Sequence, residues 1–316
     1  MFLGIEIGGT KLQLGLGHGD GHIHALWRGT VNPAEGGEGI RKQIISAVPE
    51  LLTKANTDRG ALKGVGIGFG GPTDDRSQTV IKSHQIQGWD GFPLADWVSD
   101  LVGAPAVLCN DADVAGLGEA LFGAGRGLSP IFYITVGTGV GGGLIIDGQI
   151  YRGVGRGAAE IGHYVHVWNN QADEETSVEA PEGPHLTTED VASGRGIEDW
   201  AVRHTDLCRN GQLTAKEIAN LARKGVATAR WVFEGATDSL ATAIAQMITF
   251  LCPARVVIGG GVSLIGEELF FKPIREKVAA RTFPPFAGLT DIVPAALGEE
   301  VVIHGALALA RQKLGG

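Results

Sequence analysis

Apolar residues in this chain come in short runs, each closed by glycines or by a polar pair, and the runs alternate with stretches of helical period. Phe2 to Ile7 and Leu12 to Leu16 predict two strands joined by a Gly8-Gly9-Thr10-Lys11 turn. Glu38 to Leu52 predicts an amphipathic helix, and Gly64 to Phe69 a buried strand ending in Gly70-Gly71-Pro72. A short helix is expected within Trp89 to Leu101, a strand at Ala106 to Cys109, and a helix from Asp113 to Phe122. Strands and helices in alternation indicate α/β layers.

A similar unit then begins again. Pro130 to Val136 predicts a strand, a glycine-rich turn runs from Gly137 to Gly143, and Gly143 to Ile146 predicts the returning strand. This echo of residues 2–16 reads as an internal duplication, one hairpin per lobe. The polar, acidic segment from Asn169 to Gly183 reads as an inserted loop. Thr214 with Glu217 has the spacing of a capping box. Leu240, Ile244, Met247 and Leu251 recur at helical spacing, with Pro253 as the stop. Arg255 to Ile258 predicts a strand closed by Gly259-Gly260-Gly261, and Val301 to Lys313 a terminal helix.

Composition narrows the class. With 316 residues, 44% of them hydrophobic, the chain can bury a large core and is expected to form two domains. A net charge of −9 argues against nucleic acid as the main partner, because phosphate backbones select basic surfaces. Cys109, Cys208 and Cys252 lie far apart without metal-ligand spacing, which suits a reducing compartment and predicts a cytoplasmic protein. No signal-peptide pattern is evident, and no stretch approaches the ~20 apolar residues of a membrane span. The 50 glycines cluster after apolar runs, as tight turns and close backbone approach require.

Several motifs admit chemistry. Gly8-Gly9-Thr10-Lys11 fits a phosphate cradle as well as an ordinary tight hairpin. Five glycines in the seven residues from Gly137 to Gly143 exceed what a hairpin needs, so Gly137, Thr138 and Gly139 are expected to contact a ligand. Asp111 reads either as a helix cap or, if Asp113 caps instead, as a carboxylate free to act as a base beside Asn110. Glu160-Ile161-Gly162-His163 reads as a hydrogen-bonded pair or as a clamp on polyol hydroxyls. Gly259, Gly260 and Gly261 form a strand-to-helix turn, or a surface against which adenine lies.

Taken in order, these elements resemble the sugar kinases of the ROK family (repressor, open reading frame, kinase), within the actin–hexokinase–heat-shock-chaperone ATPase superfamily. The resemblance covers nearly the whole chain. It rests on Glu6 to Lys11, Gly88-Trp89 with Phe92-Pro93-Leu94, Asn110 to Asp113 with Leu117-Gly118-Glu119, Thr135 to Gly143, Glu160-x-Gly-His163, Glu189-x-x-Ala192-Ser193-Gly194, and Gly259-Gly260-Gly261.

The resemblance implies two ribonuclease-H-like, actin-like ATPase lobes with a cleft between them. The smaller lobe would span residues 1–112 plus about 300–316, and the larger residues 113–299. It implies a glucokinase-like enzyme that uses ATP and Mg²⁺ to phosphorylate glucose or a close relative. Asp111 would be the general base. Asn110, Glu160, His163 and Glu189 would hold the sugar. Glu6, Gly8, Gly9, Thr10, Lys11, Gly137, Thr138, Gly139, Gly259, Gly260 and Gly261 would hold the nucleotide, with Glu6 near the metal. A homodimer is the assembly so implied.

Three departures qualify this. The family usually has Asp where Glu6 stands. Residues 164–188 contain no cysteine, so the zinc cluster of many members is not expected here, and the acidic loop from Asp173 to Glu182 would support His163 instead. Ser83-His84-Gln85-Ile86-Gln87 lacks the Pro-Asn that often precedes Gly-Trp. Other readings of the same fold are a kinase for another hexose or an N-acetylated amino sugar, a polyphosphate-dependent kinase, and an idle sugar sensor. A repressor of this family is disfavoured, because the phosphate turn begins at residue 8 and leaves no room for a helix-turn-helix ahead of it.

Overall fold

The computed structural model describes residues 1–83, 86–166, 186–209 and 211–315. The chain opens with β1 (Phe2–Ile7), β2 (Lys11–Gly17), β3 (Ile23–Thr30) and α1 (Gly36–Lys54). It continues with β4 (Gly64–Phe69), the short β5 (Thr73–Asp74) and β6 (Thr79–Val80), then α2 (Leu94–Val102), β7 (Ala106–Asn110) and α3 (Asp111–Phe122). Next come β8 (Ile131–Val136), β9 (Val140–Ile146), β10 (Gln149–Ile150), β11 (Val165–His166) and β12 (Leu186–Thr187). Four helices follow: α4 (Thr188–Ala192), α5 (Gly194–His204), α6 (Ala215–Arg223) and α7 (Ala227–Leu251). The chain closes with β13 (Arg255–Gly259), α8 (Lys272–Arg281), β14 (Asp291–Pro294) and α9 (Val301–Leu314). Two compact units result, one of Met1–Tyr133, Gly142–Ala159 and Ala295–Gly316, the other of Ile134–Gly141 and Glu160–Pro294.

The first unit is built on a sheet of order β3-β2-β1-β4-β7. β1, β2 and β3 pair antiparallel, whereas β4 and β7 run parallel to β1. All six residues of β1 are buried, as expected of a central strand covered on both faces. Ile40, Ile44 and Val48 of α1 and Val98 of α2 join Ile5, Leu12 and Leu14 in one core. α9 covers the sheet at glycines. A methyl group on Gly66 would lie 1.9 Å from the Ala306 carbonyl oxygen, so the helix backbone rests directly on the strand. The crossing of α3 with α9 is as tight, since a methyl on Gly305 would meet the Val114 carbonyl at 1.7 Å.

The second sheet has the same relative order, β10-β9-β8-β13-β14, again three strands in succession and then two from further along the chain. The duplication expected from the repeated strand–glycine–strand pattern is therefore present in the topology. In the second unit α7 supplies the core through Leu240, Ile244, Met247 and Ile248. Leu251, the fourth residue of the predicted stripe, is 39% exposed at the helix end, where Cys252 turns into the left-handed region before Pro253. The Thr214–Glu217 capping box at α6 is formed in both directions.

Two local expectations are corrected. α3 begins at Asp111, not Asp113, and its cap is Asn110. The returning strand β9 begins at Val140, so Gly141, Gly142 and Gly143 belong to the strand and not to the turn. Gly143 is there for packing, because a methyl would lie 2.8 Å from the Ala112 carbonyl oxygen. Part of the glycine signal read as ligand contact is thus close approach of β9 to the first turn of α3.

Candidate active site

The first set of candidate residues lies in the first unit, where β1 turns into β2. Gly8 donates its N–H to the Lys11 carbonyl at 3.0 Å and closes the turn. The turn points its exposed residue, Thr10, outward. Glu6, at the end of buried β1, is only 5% exposed, and its Oε1 pairs with Lys11 Nζ at 3.0 Å. Lys11 also donates to the Glu299 carbonyl at 3.0 Å, as does Gln13 Nε2 at 3.3 Å. Burial pushes the Glu6 carboxyl up to about 7, outweighing the pull of Lys11, with the charges of Asp111 and Glu299 adding to the rise. Glu6 Oε2 is buried with no hydrogen-bond partner among the described residues.

The predicted base lies beside this turn. β4 and β7 run parallel and end together at Phe69 and Asn110. Gly70 N–H donates to the Ile7 carbonyl at 2.8 Å, which brings the end of β4 against the start of the first turn. A methyl on Gly70 would lie 3.3 Å from Asp111 Oδ2, 3.3 Å from the Ile7 carbonyl oxygen and 3.6 Å from Gly8 Cα. Asp111, Gly70 and Gly8 therefore gather around one point, and any side chain at Gly70 would crowd the carboxylate. Asp111 is half-buried. Asn110 holds the helix end: Oδ1 accepts the N–H groups of Ala112 and Asp113 at 2.9 and 3.4 Å, and Nδ2 donates to the Gly71 carbonyl at 3.1 Å. Much of the amide predicted to bind a sugar is thus engaged in capping.

Two buried acidic side chains of α3 have partners that the sequence did not announce. Asp113 is 1% exposed and pairs with Arg152 at 2.5 Å. Glu119 is fully buried and accepts three backbone N–H groups, from Ala296 and Leu297 at 2.9 and 2.8 Å and from Ala124 at 2.7 Å. It thereby anchors the segment whose Glu299 carbonyl holds Lys11. The Cys109 thiol ending the apolar run is buried, and burial pushes its pKa up.

The remaining candidates lie in the second unit. In the turn before β9, Gly137 donates to the Gly139 carbonyl at 2.9 Å, and Gly194 donates to the Gly137 carbonyl at 2.8 Å. Thr138 is exposed at its tip. Glu189 Oε2 accepts the Val140 N–H at 2.8 Å, and a methyl on Gly139 would sit 2.4 Å from that oxygen. Glu189, predicted at the sugar, thus braces the second glycine turn with one oxygen. Gly162 explains its place between Glu160 and His163, because a methyl there would lie 1.9 Å from the Val140 carbonyl oxygen. Glu160 and His163 both remain exposed, with His163 N–H donating to the Glu160 carbonyl at 3.0 Å. Gly260 adopts φ +86°, and a methyl would meet the Val136 carbonyl at 2.5 Å. Gly259 ends β13, and Gly261 starts a 3-10 turn to Ile265.

His166 is a further residue that sequence reading passed over. Its Nε2 is hydrogen-bonded with Thr188 Oγ1 at 3.0 Å and Ser239 Oγ at 2.8 Å, and burial pulls its pKa below the usual histidine value. The acidic loop expected to support His163 lies outside the described residues, as do His84 and Gln85 of the segment before Gly88-Trp89. Among the described residues no group of three or more His, Cys, Asp or Glu is arranged to hold a metal ion, and no helix is long and apolar enough to cross a membrane.

Known proteins match this arrangement over its whole length. The model of the ROK family matches residues 2–313. A glucokinase of Halalkalibacterium halodurans is 32% identical, covering 99% of this chain and 95% of the relative. The crystal structure of a ROK hexokinase from Thermus thermophilus superposes with a TM-score of 0.83 at 26% identity, covering 99% of each chain. A ROK-family glucokinase from Streptomyces griseus, in complex with glucose and AMPPNP, gives a TM-score of 0.75 at 30% identity, covering 98% of this chain and 99% of that one. The chain belongs to the ROK family and carries the fold of its sugar kinases.

Proposed function

We propose that this ATP-dependent sugar kinase transfers the γ-phosphoryl group of ATP to a hydroxyl of glucose or a close relative, with Asp111 as the general base. The observation that carries the reading is the meeting of Asp111 Oδ2, Gly70 and Gly8 at one point in the first unit. A carboxylate that adjoins a glycine turn suited to phosphate can take a proton from a hydroxyl attacking that phosphate. A sugar hydroxyl is a weak nucleophile at neutral pH, so proton removal as the bond forms is what a base must supply.

The other residues follow from this. Lys11 holds its charge at the turn through Glu6 and the Glu299 carbonyl, where it would meet developing negative charge on the transferred group. Glu6 fits a metal shell: its buried Oε2 has no protein partner among the described residues, and a carboxylate there would be satisfied by metal-bound water. Mg²⁺, when bound with the nucleotide, neutralises phosphate charge. Thr10, Gly9 and the Gly137–Gly139 turn would cradle phosphates, and Gly259 to Gly261 would receive the adenosine. Glu160, His163, Asn110 and the second oxygen of Glu189 would bind sugar hydroxyls. Support for glucose as acceptor comes from the relatives, two of which are named as glucokinases.

An ADP-release assay with ATP and Mg²⁺ across a panel of hexoses and N-acetylated amino sugars tests the reading. Turnover is expected with glucose or a close epimer. No turnover on any sugar, with the nucleotide shown to bind, would leave a sugar sensor as the better account.

A further inference from the structure

Arg152 has no part in the chemistry above, yet its guanidinium joins three segments of the first unit. Nε donates to the two Asp75 oxygens at 3.0 and 3.1 Å. Nη2 donates to Asp75 Oδ1 at 2.9 Å, to the Thr73 carbonyl at 3.2 Å and to Thr73 Oγ1 at 3.1 Å. Nη1 donates to Asp113 Oδ2 at 2.5 Å. The side chain is 11% exposed and that of Asp113 only 2%. The loop carrying Arg152 is tied to the same hairpin a second time, since Asp75 N–H donates to the Gly155 carbonyl at 3.0 Å and Arg156 pairs with Asp74 at 3.3 Å.

Asp113 follows Asp111 by two residues in the same helical turn, which Asn110 caps. A general base must stay ionised, and an uncompensated carboxylate buried in the same helical turn opposes that. Glu6, from β1, interacts electrostatically with Asp111; Lys11, from β2, is shared between Glu6 and the Glu299 carbonyl; Glu299 adds negative charge from the segment before α9. Cys109, at the end of β7, feels Asp113, Arg152 and Asp75 together. Arg152 is the cation set against Asp113.

We propose that Arg152 is a positioning residue for phosphoryl transfer: it neutralises Asp113 and clamps residues 73–75 to the first turn of α3, which keeps Asp111 ionised and aimed without touching sugar or nucleotide. The proposal rests on the reading of Asp111 as the base.

The experiment compares Arg152→Gln, Asp113→Asn and the double variant in the full-length enzyme, measuring kcat and both KM values, with folding followed by circular dichroism. Arg152→Gln should lower kcat by ~10–100-fold, as small misplacements of a catalytic group do, with the KM for ATP nearly unchanged. Asp113→Asn alone should cost little, and in the double variant it should restore most of the lost kcat, because the uncompensated charge is gone. A folded Arg152→Gln enzyme with parental kcat overturns the proposal. So does a loss that Asp113→Asn fails to restore, which would mark Arg152 as a mere structural clamp. If Arg152→Gln does not fold, the charge-keeping Arg152→Lys and the double variant carry the test: both are expected within ~10-fold of the parent, and a double variant ~100-fold down overturns the proposal. An unaltered enzyme that turns over no sugar would overturn the kinase reading and this proposal with it, whereas an active parent with an indifferent Arg152→Gln overturns this proposal alone.

Discussion

The two compact units offer their candidate ligand residues by different means. In the first, paired charges do it: Glu6 with Lys11, Asp113 with Arg152, and Glu119 under three backbone N–H groups. In the second, backbone does it: the Gly137–Gly139 turn over Glu189, Gly162 on the Val140 carbonyl, and Gly260 on the Val136 carbonyl. The first set thus depends on compensation between charges, which is costly to disturb, and the second on steric room, which a single methyl removes.

The largest expected effect tests the charged unit. Replacing Glu119 by Ala would take the shared acceptor from three part-buried N–H groups, at ~1 kcal/mol each, so unfolding by denaturant should show a loss of about 3 kcal/mol. A loss below about 1 kcal/mol would mean that water replaces the carboxylate, and the contrast between the units would weaken. Next comes Gly260→Ala in the second unit. At φ +86° and 2.5 Å from a carbonyl oxygen, the methyl should cost about 2–4 kcal/mol by strain and overpacking. A neutral effect would show that the turn adapts, and the steric account of this unit would fail.

The smallest effect concerns Glu6. Its folded-state pKa is about 7 against an ordinary 4.5, so the folded protein holds a proton that the unfolded chain releases between those values. The stability so gained is complete below about pH 4.5 and is lost as pH rises to about 7. Each tenfold difference in proton affinity between the folded and unfolded chain corresponds to ~1.4 kcal/mol, so the loss is about 3 kcal/mol at most. Denaturant unfolding of the nucleotide-free and metal-free protein at several pH values should show this fall, and Glu6→Gln should remove it. An identical slope in the variant would mean that Glu6 is ionised throughout.

How much of this could be read in the sequence follows from the same contrast. Strands β1, β2, β4, β7, β8, β9 and β13, the duplicated hairpin and the glycine turns were legible, because short apolar runs ended by glycines leave few alternatives, whereas β3 and β14 were not predicted. Glycine spacing also carried the family resemblance. It did not separate ligand contact from packing, and Gly143, read as part of the turn, serves β9 against α3. The helix start at Asp111 was missed because Asn110, Asp111 and Asp113 are all competent caps, and only the fold decides among them. Arg152 acts on partners 39 to 79 residues away, and Glu119, besides the nearby Ala124, on Ala296 and Leu297, 177 and 178 residues away; no local pattern announces such distant pairs. Glu189 was legible as part of a motif, but its bond to the Val140 N–H was not.

In the proposed reaction Asp111 removes the proton from the sugar hydroxyl as phosphate is transferred. Its most direct test is Asp111→Asn, a near-isosteric change, assayed for kcat on the best sugar with the Kd for that sugar measured separately. The account predicts a kcat lower by ~10²–10⁴-fold with sugar affinity largely kept. A variant that turns over within ~10-fold of the parent would contradict it, and the proton would have to leave by another route.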